Sequence, residues 1–325
     1  MTKILVTGCA GFIGGNFVRL LLGKSFLNKG YGFSSLECEE IIGVDAMRIG
    51  SSVELISELK KNKKFTFYKY DICDSESLKQ VLDKHKPDMI VNFAAESHVD
   101  RSIDSSDAFV HSNVIGTVNL LELSRDRSLR YLQVSTDEVY GELGETGSFF
   151  ETTPLAPNSP YSASKAAADC FVRSFVHTHK VDAVITRCSN NYGPHQYPEK
   201  FIPVVVTKAL GKQKIPVYGS GLNVRDWLHV EDHCWGIFLA LTKGKPGEVY
   251  NFGGYGERNN LQVAYKILEI LKKDKELISF VEDRKGHDWR YSINSTKAQS
   301  ELGWKPLWSF DEGLENTVEW YVSKF

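Results

Sequence analysis

Residues Ile4-Leu-Val-Thr-Gly8-Cys-Ala-Gly11-Phe-Ile-Gly14 decide the fold. A short apolar run, read as a strand, leads into three glycines spaced three apart, and an amphipathic segment near Phe12–Leu22 follows. Glycines at those points permit a tight turn, close approach of the backbone to a pyrophosphate, and close packing of helix on strand. The start of the helix then offers free N–H groups and a partial positive charge to phosphate. Taken in isolation the motif reads equally well as a structural turn. Asp45, ending the second predicted strand, shifts the balance: a carboxylate there accepts hydrogen bonds from ribose hydroxyls and repels the additional phosphate of NADP. NAD is therefore expected over NADP, with Arg48 as the contrary feature.

Working outward, short apolar runs alternate with longer amphipathic segments, the rhythm of a parallel sheet covered by helices. The pattern predicts strands near 4–7, 40–44, 65–68, 89–93, 130–134 and 183–187, and helices near 12–22, 75–85, 106–125 and 161–177. Gly, Ser and Asn crowd residues 27–35, which predicts a long surface loop. After Asn190 the prolines 194, 198, 203 and 216 and the glycines 219 and 221 break the rhythm. Amphipathic stretches near 261–272 and 310–321 close the chain. The fold class expected is α/β, a doubly wound parallel (Rossmann) sheet with a smaller C-terminal α/β substrate domain. Residues 1–189 plus about 229–254 would form the NAD domain, and about 190–228 plus 255–325 the substrate domain.

Composition narrows the partners. A chain of 325 residues, 42% hydrophobic, can bury a large core, and 39 basic against 41 acidic residues leave a formal charge of −2. No strong field of one sign favours nucleic acid or a membrane surface, so a small-molecule ligand is expected. Cys9, Cys38, Cys73, Cys170, Cys188 and Cys234 show no metal-ligand spacing and no disulfide framework. They read as reduced thiols of a cytoplasmic protein, with no metal, no targeting leader and no bilayer-spanning stretch.

The catalytic candidates follow the fifth predicted strand. Tyr161 and Lys165 lie one helical turn apart on one face, with Pro160 at the first helical position and Ser159 able to cap it. A phenol has an unperturbed pKa of about 10; a nearby ammonium, the positive helix end and an oxidised nicotinamide would favour phenolate. Thr136 offers a hydroxyl to the reacting sugar oxygen. Asp137 and Glu138 directly adjoin it, and an acid and a base beside a temporary ketone are what dehydration requires. Oxidation at C4 makes the C5 proton acidic. Glu138 would remove it while a protonated Asp137 serves the departing C6 oxygen, and hydride return to C6 leaves the cofactor oxidised. The two acids need different environments.

These residues sit in runs that resemble the dTDP-glucose 4,6-dehydratases of the extended short-chain dehydrogenase/reductases, nearly end to end. The runs are AAESHVDRSI at Ala94–Ile103, STDEVYGE at Ser135–Glu142, PYSASKAAAD at Pro160–Asp169, SNNYGPHQYPEKFIP at Ser189–Pro203, RDWLHVEDH at Arg225–His233 and DRKGHDWRY at Asp283–Tyr291. The resemblance implies a nucleotide-diphosphate hexose as substrate and catalytic roles for Thr136, Asp137, Glu138, Tyr161 and Lys165. It implies sugar-nucleotide contacts at Ser97, Thr136, Asn190, Lys200, Phe201, Pro216, Val217, Tyr218, Arg225, Asn260, Arg284 and His287, with Arg225 and Arg284 suited to diphosphate. The expected cofactor set is Gly8, Gly11, Phe12, Ile13, Gly14, Asp45, Arg48, Asp71, Ile72, Phe93, Ala94, Ala95, Ser112, Tyr161, Lys165 and Asn191. A homodimer packed through the helices 106–125 and 161–177 is also implied. The segment Asp45–Ser51 departs from the family's D-x-L-T-Y-A-G-N. A 4-epimerase would have no use for the acid pair, a UDP-glucuronate decarboxylase shares more of the pattern, and a non-catalytic NAD-binding regulator would bind cofactor without turnover.

Overall fold

The computed structural model describes residues 2–25, 38–283 and 286–324; the loop expected at 27–35 lies outside them. Six strands arise where the apolar runs predict them: β1 (Thr2–Thr7), β2 (Cys38–Val44), β3 (Phe65–Tyr68), β4 (Met89–Asn92), β5 (Arg130–Thr136) and β6 (Ala183–Cys188). A seventh, Val249–Phe252, returns late in the chain and pairs with β6. All pairings in this sheet are parallel, in the order Val249–Phe252, β6, β5, β4, β1, β2, β3. The order reverses between β1 and β4, and a crevice opens there at the carboxyl ends of the strands.

Side chains alternate across the sheet. Ile4 and Val6 join a layer with Phe17, Leu55, Leu59, Ile237 and Trp304, while Leu5 faces a second layer with Leu78, Leu82, Leu121 and Val172. Helices Phe12–Leu21, Val53–Leu59 and Val230–Lys243 thus cover one face, and Ser75–His85, Gly116–Arg127 and Pro160–His179 the other. Polar groups also cross the middle of the sheet. Thr7 Oγ1 donates to Asn92 Oδ1 at 2.6 Å, Asn92 Nδ2 donates to Gln133 Oε1 at 3.0 Å, and the Tyr131 hydroxyl donates to the same oxygen. A satisfied network of this kind fixes one alignment of β1, β4 and β5.

Residues Asp107–Arg127 are less uniform than the predicted 106–125 helix. A π-helical stretch, Val110–Ile115, precedes the regular helix Gly116–Arg127 and places Ser112 and Asn113 inward. Helices Phe201–Leu210, Asn260–Ile270 and Phe310–Val322 build a separate core around Tyr192, Val206, Ile267 and Leu314. No helix among the described residues is long and apolar enough to cross a membrane.

Candidate active site

The glycine loop is shaped by close contacts. Gly8 has φ +66°, and a Cβ there would stand 2.6 Å from the Ala94 nitrogen; one at Gly14 would stand 2.3 Å from the Gly8 carbonyl oxygen. Side chains at either position would push β1, β4 and the first helix apart. A cavity of about 350 Å³ opens above the loop. The whole expected cofactor set, from Gly8 to Asn191, lines it together with Thr136, Asp137 and Glu138.

Asp45, 7% exposed, accepts from Ala10 N at 3.0 Å, Met47 N at 2.7 Å and Ser51 Oγ at 2.9 Å. A carboxylate has roughly four acceptor sites, so a ribose hydroxyl can still be served. Arg48 pairs with Asp71 and stands 3.5 Å from Glu96, which commits its charge to two carboxylates.

The helix Pro160–His179 begins with a capping box: Ser162 N donates to Ser159 Oγ at 3.1 Å and Ser159 N to Ser162 Oγ at 3.0 Å. Tyr161 and Lys165 are both buried on its inner face. Lys165 Nζ donates to the Val134 carbonyl at 2.7 Å, and burial lowers its pKa against the pull of Asp169. The expectation of a lowered Tyr161 pKa needs correcting for the chain by itself. Burial, followed by the negative charge of Glu138, holds the phenol well above its ordinary value, while a hydrogen bond with Thr136 works the other way. The Lys165 ammonium is engaged by β5, and the Glu138 charge acts on the phenol instead.

Thr136 Oγ1 lies 3.4 Å from Asp137 Oδ1 and 3.3 Å from Glu138 N. Asp137 is 2% exposed and its Oδ2 has no hydrogen-bond partner among the described residues. Burial, then the charges of Glu138 and Asp226, push the carboxyl well above the usual carboxylate range against the pull of Arg225. Glu138 is less buried. The two acids therefore occupy different environments, and Asp137 has the one that favours a bound proton.

Of the expected sugar-nucleotide contacts, Ser97, Thr136, Asn190 and Lys200 line the cavity. Phe201, Pro216, Val217, Tyr218, Arg225, Asn260 and His287 do not. Val217 is 1% exposed on the strand Ile215–Tyr218. Arg225, expected at the diphosphate, has a buried guanidinium that donates to the carbonyls of Val224 at 2.8 Å and Asp288 at 2.9 Å and lies 4.5 Å from the Tyr291 ring centre. His287 pairs with Asp283 at 2.6 Å. Arg284 lies outside the described residues.

Among the wall residues that the sequence does not single out are Glu96, His98, Arg101 and Glu199. Arg101 pairs with Glu199 at 2.6 Å, His98 stands 3.7 Å from the same carboxylate, and Glu96 reaches Arg48. They bring the loop after β4 against the segment before Phe201–Leu210. The signal was there in the charges of AAESHVDRSI and of Glu199 beside Lys200, but spacing alone does not pair positions about 100 residues apart.

A doubly wound sheet, a glycine loop and a buried Tyr/Lys pair facing the same crevice define the short-chain dehydrogenase/reductase class, here in its extended form with a second, smaller core. The model of the GDP-mannose 4,6 dehydratase family matches residues 5–317. A dTDP-glucose 4,6-dehydratase from Xanthomonas campestris pv. campestris is 46% identical over 342 residues, covering 99% of this chain and 94% of the relative. The crystal structure of DesIV, a dTDP-glucose 4,6-dehydratase from Streptomyces venezuelae with NAD and TYD bound, superposes with TM-score 0.93 at 43% identity, covering 99% and 97% of the two chains. That of the Bacillus anthracis dTDP-glucose 4,6-dehydratase in complex with NAD gives 0.89 at 46% identity, with the same coverage. The chain belongs to the dTDP-glucose 4,6-dehydratase family.

Proposed function

We propose that the protein is an NAD-dependent hydro-lyase that converts a nucleotide-diphosphate glucose, dTDP-glucose first, into its 4-keto-6-deoxy derivative. The observation that carries this reading is the acid pair. A buried Asp137, with one oxygen unpartnered among the described residues, adjoins Thr136 and Glu138 in the cavity that also holds Tyr161 and Lys165. The residues fit NAD: the space above Gly8 and Gly14 admits backbone-close phosphate, and Asp45 stands at the end of β2. When bound, NAD supplies the hydride acceptor for C4, the hydride donor for C6 and a positive ring that favours the Tyr161 phenolate.

The chain's own residues do the rest. Thr136 hydrogen-bonds the C4 oxygen and Tyr161 takes the C4 hydroxyl proton. The ketone so formed acidifies C5–H; Glu138 takes that proton, and Asp137 gives its proton to the C6 oxygen, which departs as water. Burial favours the protonated form of Asp137 for this purpose, and the base role falls to the more open Glu138. Lys165, fixed on Val134, offers its remaining protons to the nicotinamide ribose.

Residues 1–189 plus about 229–254 would bind the cofactor and the remainder the sugar nucleotide. Exposed Val110, Ile115 and Phe171 support a homodimer packed through 106–125 and 161–177, which light scattering at micromolar concentration tests. Six free thiols support a reducing, cytoplasmic setting. The deciding experiment is parallel turnover of dTDP-glucose and UDP-glucose with NMR identification of products. Absence of a 4-keto-6-deoxy product from both refutes the reading.

A further inference from the structure

The segment after β2, where the chain departs from its family's pattern, is a built turn. Asp45 Oδ1 accepts from both Met47 N and Ser51 Oγ, Ser51 N donates to the Arg48 carbonyl at 3.1 Å, and Ser52 N donates to the Ala10 carbonyl at 2.8 Å. Met47 takes φ +58°, a left-handed conformation uncommon outside glycine. The turn throws Arg48 across the crevice. One guanidinium nitrogen donates to Asp71, beyond β3, and another stands 3.5 Å from Glu96, beyond β4, although β1 and β2 separate those strands in the sheet.

Both partners are held from behind. Asp71 Oδ1 accepts from Cys73 N at 2.9 Å. Asn113 clamps the Glu96 backbone, accepting from its N–H at 2.8 Å and donating to its carbonyl at 3.0 Å, and also donates to Ser164 of the catalytic helix at 2.8 Å. Arg48, Asp71 and Glu96 all line the cavity, beside the glycine loop and Asp45. Half-exposed ion pairs add little to folding stability, so a strained turn that delivers one across a ligand cleft points to a role with the ligand.

We propose that Arg48 is a cofactor-retention latch: its bridge between Asp71 and Glu96 closes over the adenosine end of the cleft and must open for NAD to leave. A reaction that returns its cofactor oxidised needs no exchange between turnovers, so slow release carries no kinetic penalty. The inference rests on the NAD reading of this cleft.

The test uses the full-length protein loaded with radiolabelled NAD and chased with excess unlabelled NAD, bound label being followed on desalting columns. Arg48→Ala is expected to speed release about threefold to tenfold, the factor that one or two such pairs can carry. Glu96→Gln, which leaves the guanidinium in place, should speed release in the same direction, and the double variant should be no faster than Arg48→Ala. Added salt should speed release from the unaltered protein more than from Arg48→Ala. Release from Arg48→Ala at the unaltered rate overturns the latch. So does faster release from Arg48→Ala with none from Glu96→Gln, which would mean that Arg48 holds the nucleotide directly. Failure of the unaltered protein to take up label refutes the NAD reading itself, and the latch with it.

Discussion

Asp137→Asn changes one ionisable oxygen and almost nothing in size, so it reports on the buried acid through both stability and chemistry. The group is 2% exposed, Oδ2 is unpartnered among the described residues, and burial with the Glu138 charge raises its folded pKa well above that of an unfolded aspartate, which is about 3.9. A carboxyl raised in the folded state contributes stability that is complete below the unfolded value and is lost as pH climbs to the folded one. In that window the slope is about 1.4 kcal/mol per pH unit. Urea melts of the unaltered protein should show this loss from about pH 4 upward, and melts of Asp137→Asn should lack it. In turnover the variant should be about 10²–10⁴-fold slower, the usual cost of one general acid. Glu138 remains, so incubation in heavy water should place deuterium at C5 of recovered hexose. Glu138→Gln should be similarly slow with no deuterium at C5, and the absorbance of reduced nicotinamide should persist. Parallel pH slopes in the two proteins would refute the buried acid; exchange in Glu138→Gln but not in Asp137→Asn would reverse the roles.

Tyr161→Phe should leave NAD binding intact, measured by titration, while abolishing sugar oxidation; near-unaltered turnover would remove Tyr161 as the base. Arg187 Nε pairs with Asp169 Oδ2 at 2.9 Å, both side chains being buried, so Arg187→Met strands a carboxylate and should cost about 3–5 kcal/mol in chemical denaturation. Ser159→Ala removes the cap of the catalytic helix and should cost about 1 kcal/mol in the same assay.

Much of this was legible in the sequence because its physics is local. A glycine loop between strand and helix, a Pro160 start with a serine cap, and two side chains one turn apart are properties of neighbouring residues, and six strands followed from apolar runs. The short helix Val53–Leu59 was missed because its seven residues give hardly two turns of periodicity. The π-helical stretch at Val110–Ile115 was missed because six residues are too few for a wider turn to stand out from helical spacing. The sequence offers Tyr161 an ammonium, a helix end and a nicotinamide, but not its burial or the charge of Glu138, 23 positions away, which raise its pKa in the chain. Arg225 has the right charge for a diphosphate, and no spacing announces the carbonyls of Val224 and Asp288 to which its guanidinium also donates.

The return of Val249–Phe252 to the edge of β6 also bears on how the chain is made. During synthesis β6 leaves the ribosome about sixty residues before its outer partner, a delay of roughly 3–12 s at about 5–20 residues per second. Through that interval the apolar strand presents an open row of amides and carbonyls, the kind of edge that recruits other chains. Fragments ending before Val249 should therefore clump although they contain the whole glycine loop and catalytic helix, and nascent chains have most need of chaperone shielding between the emergence of those two strands.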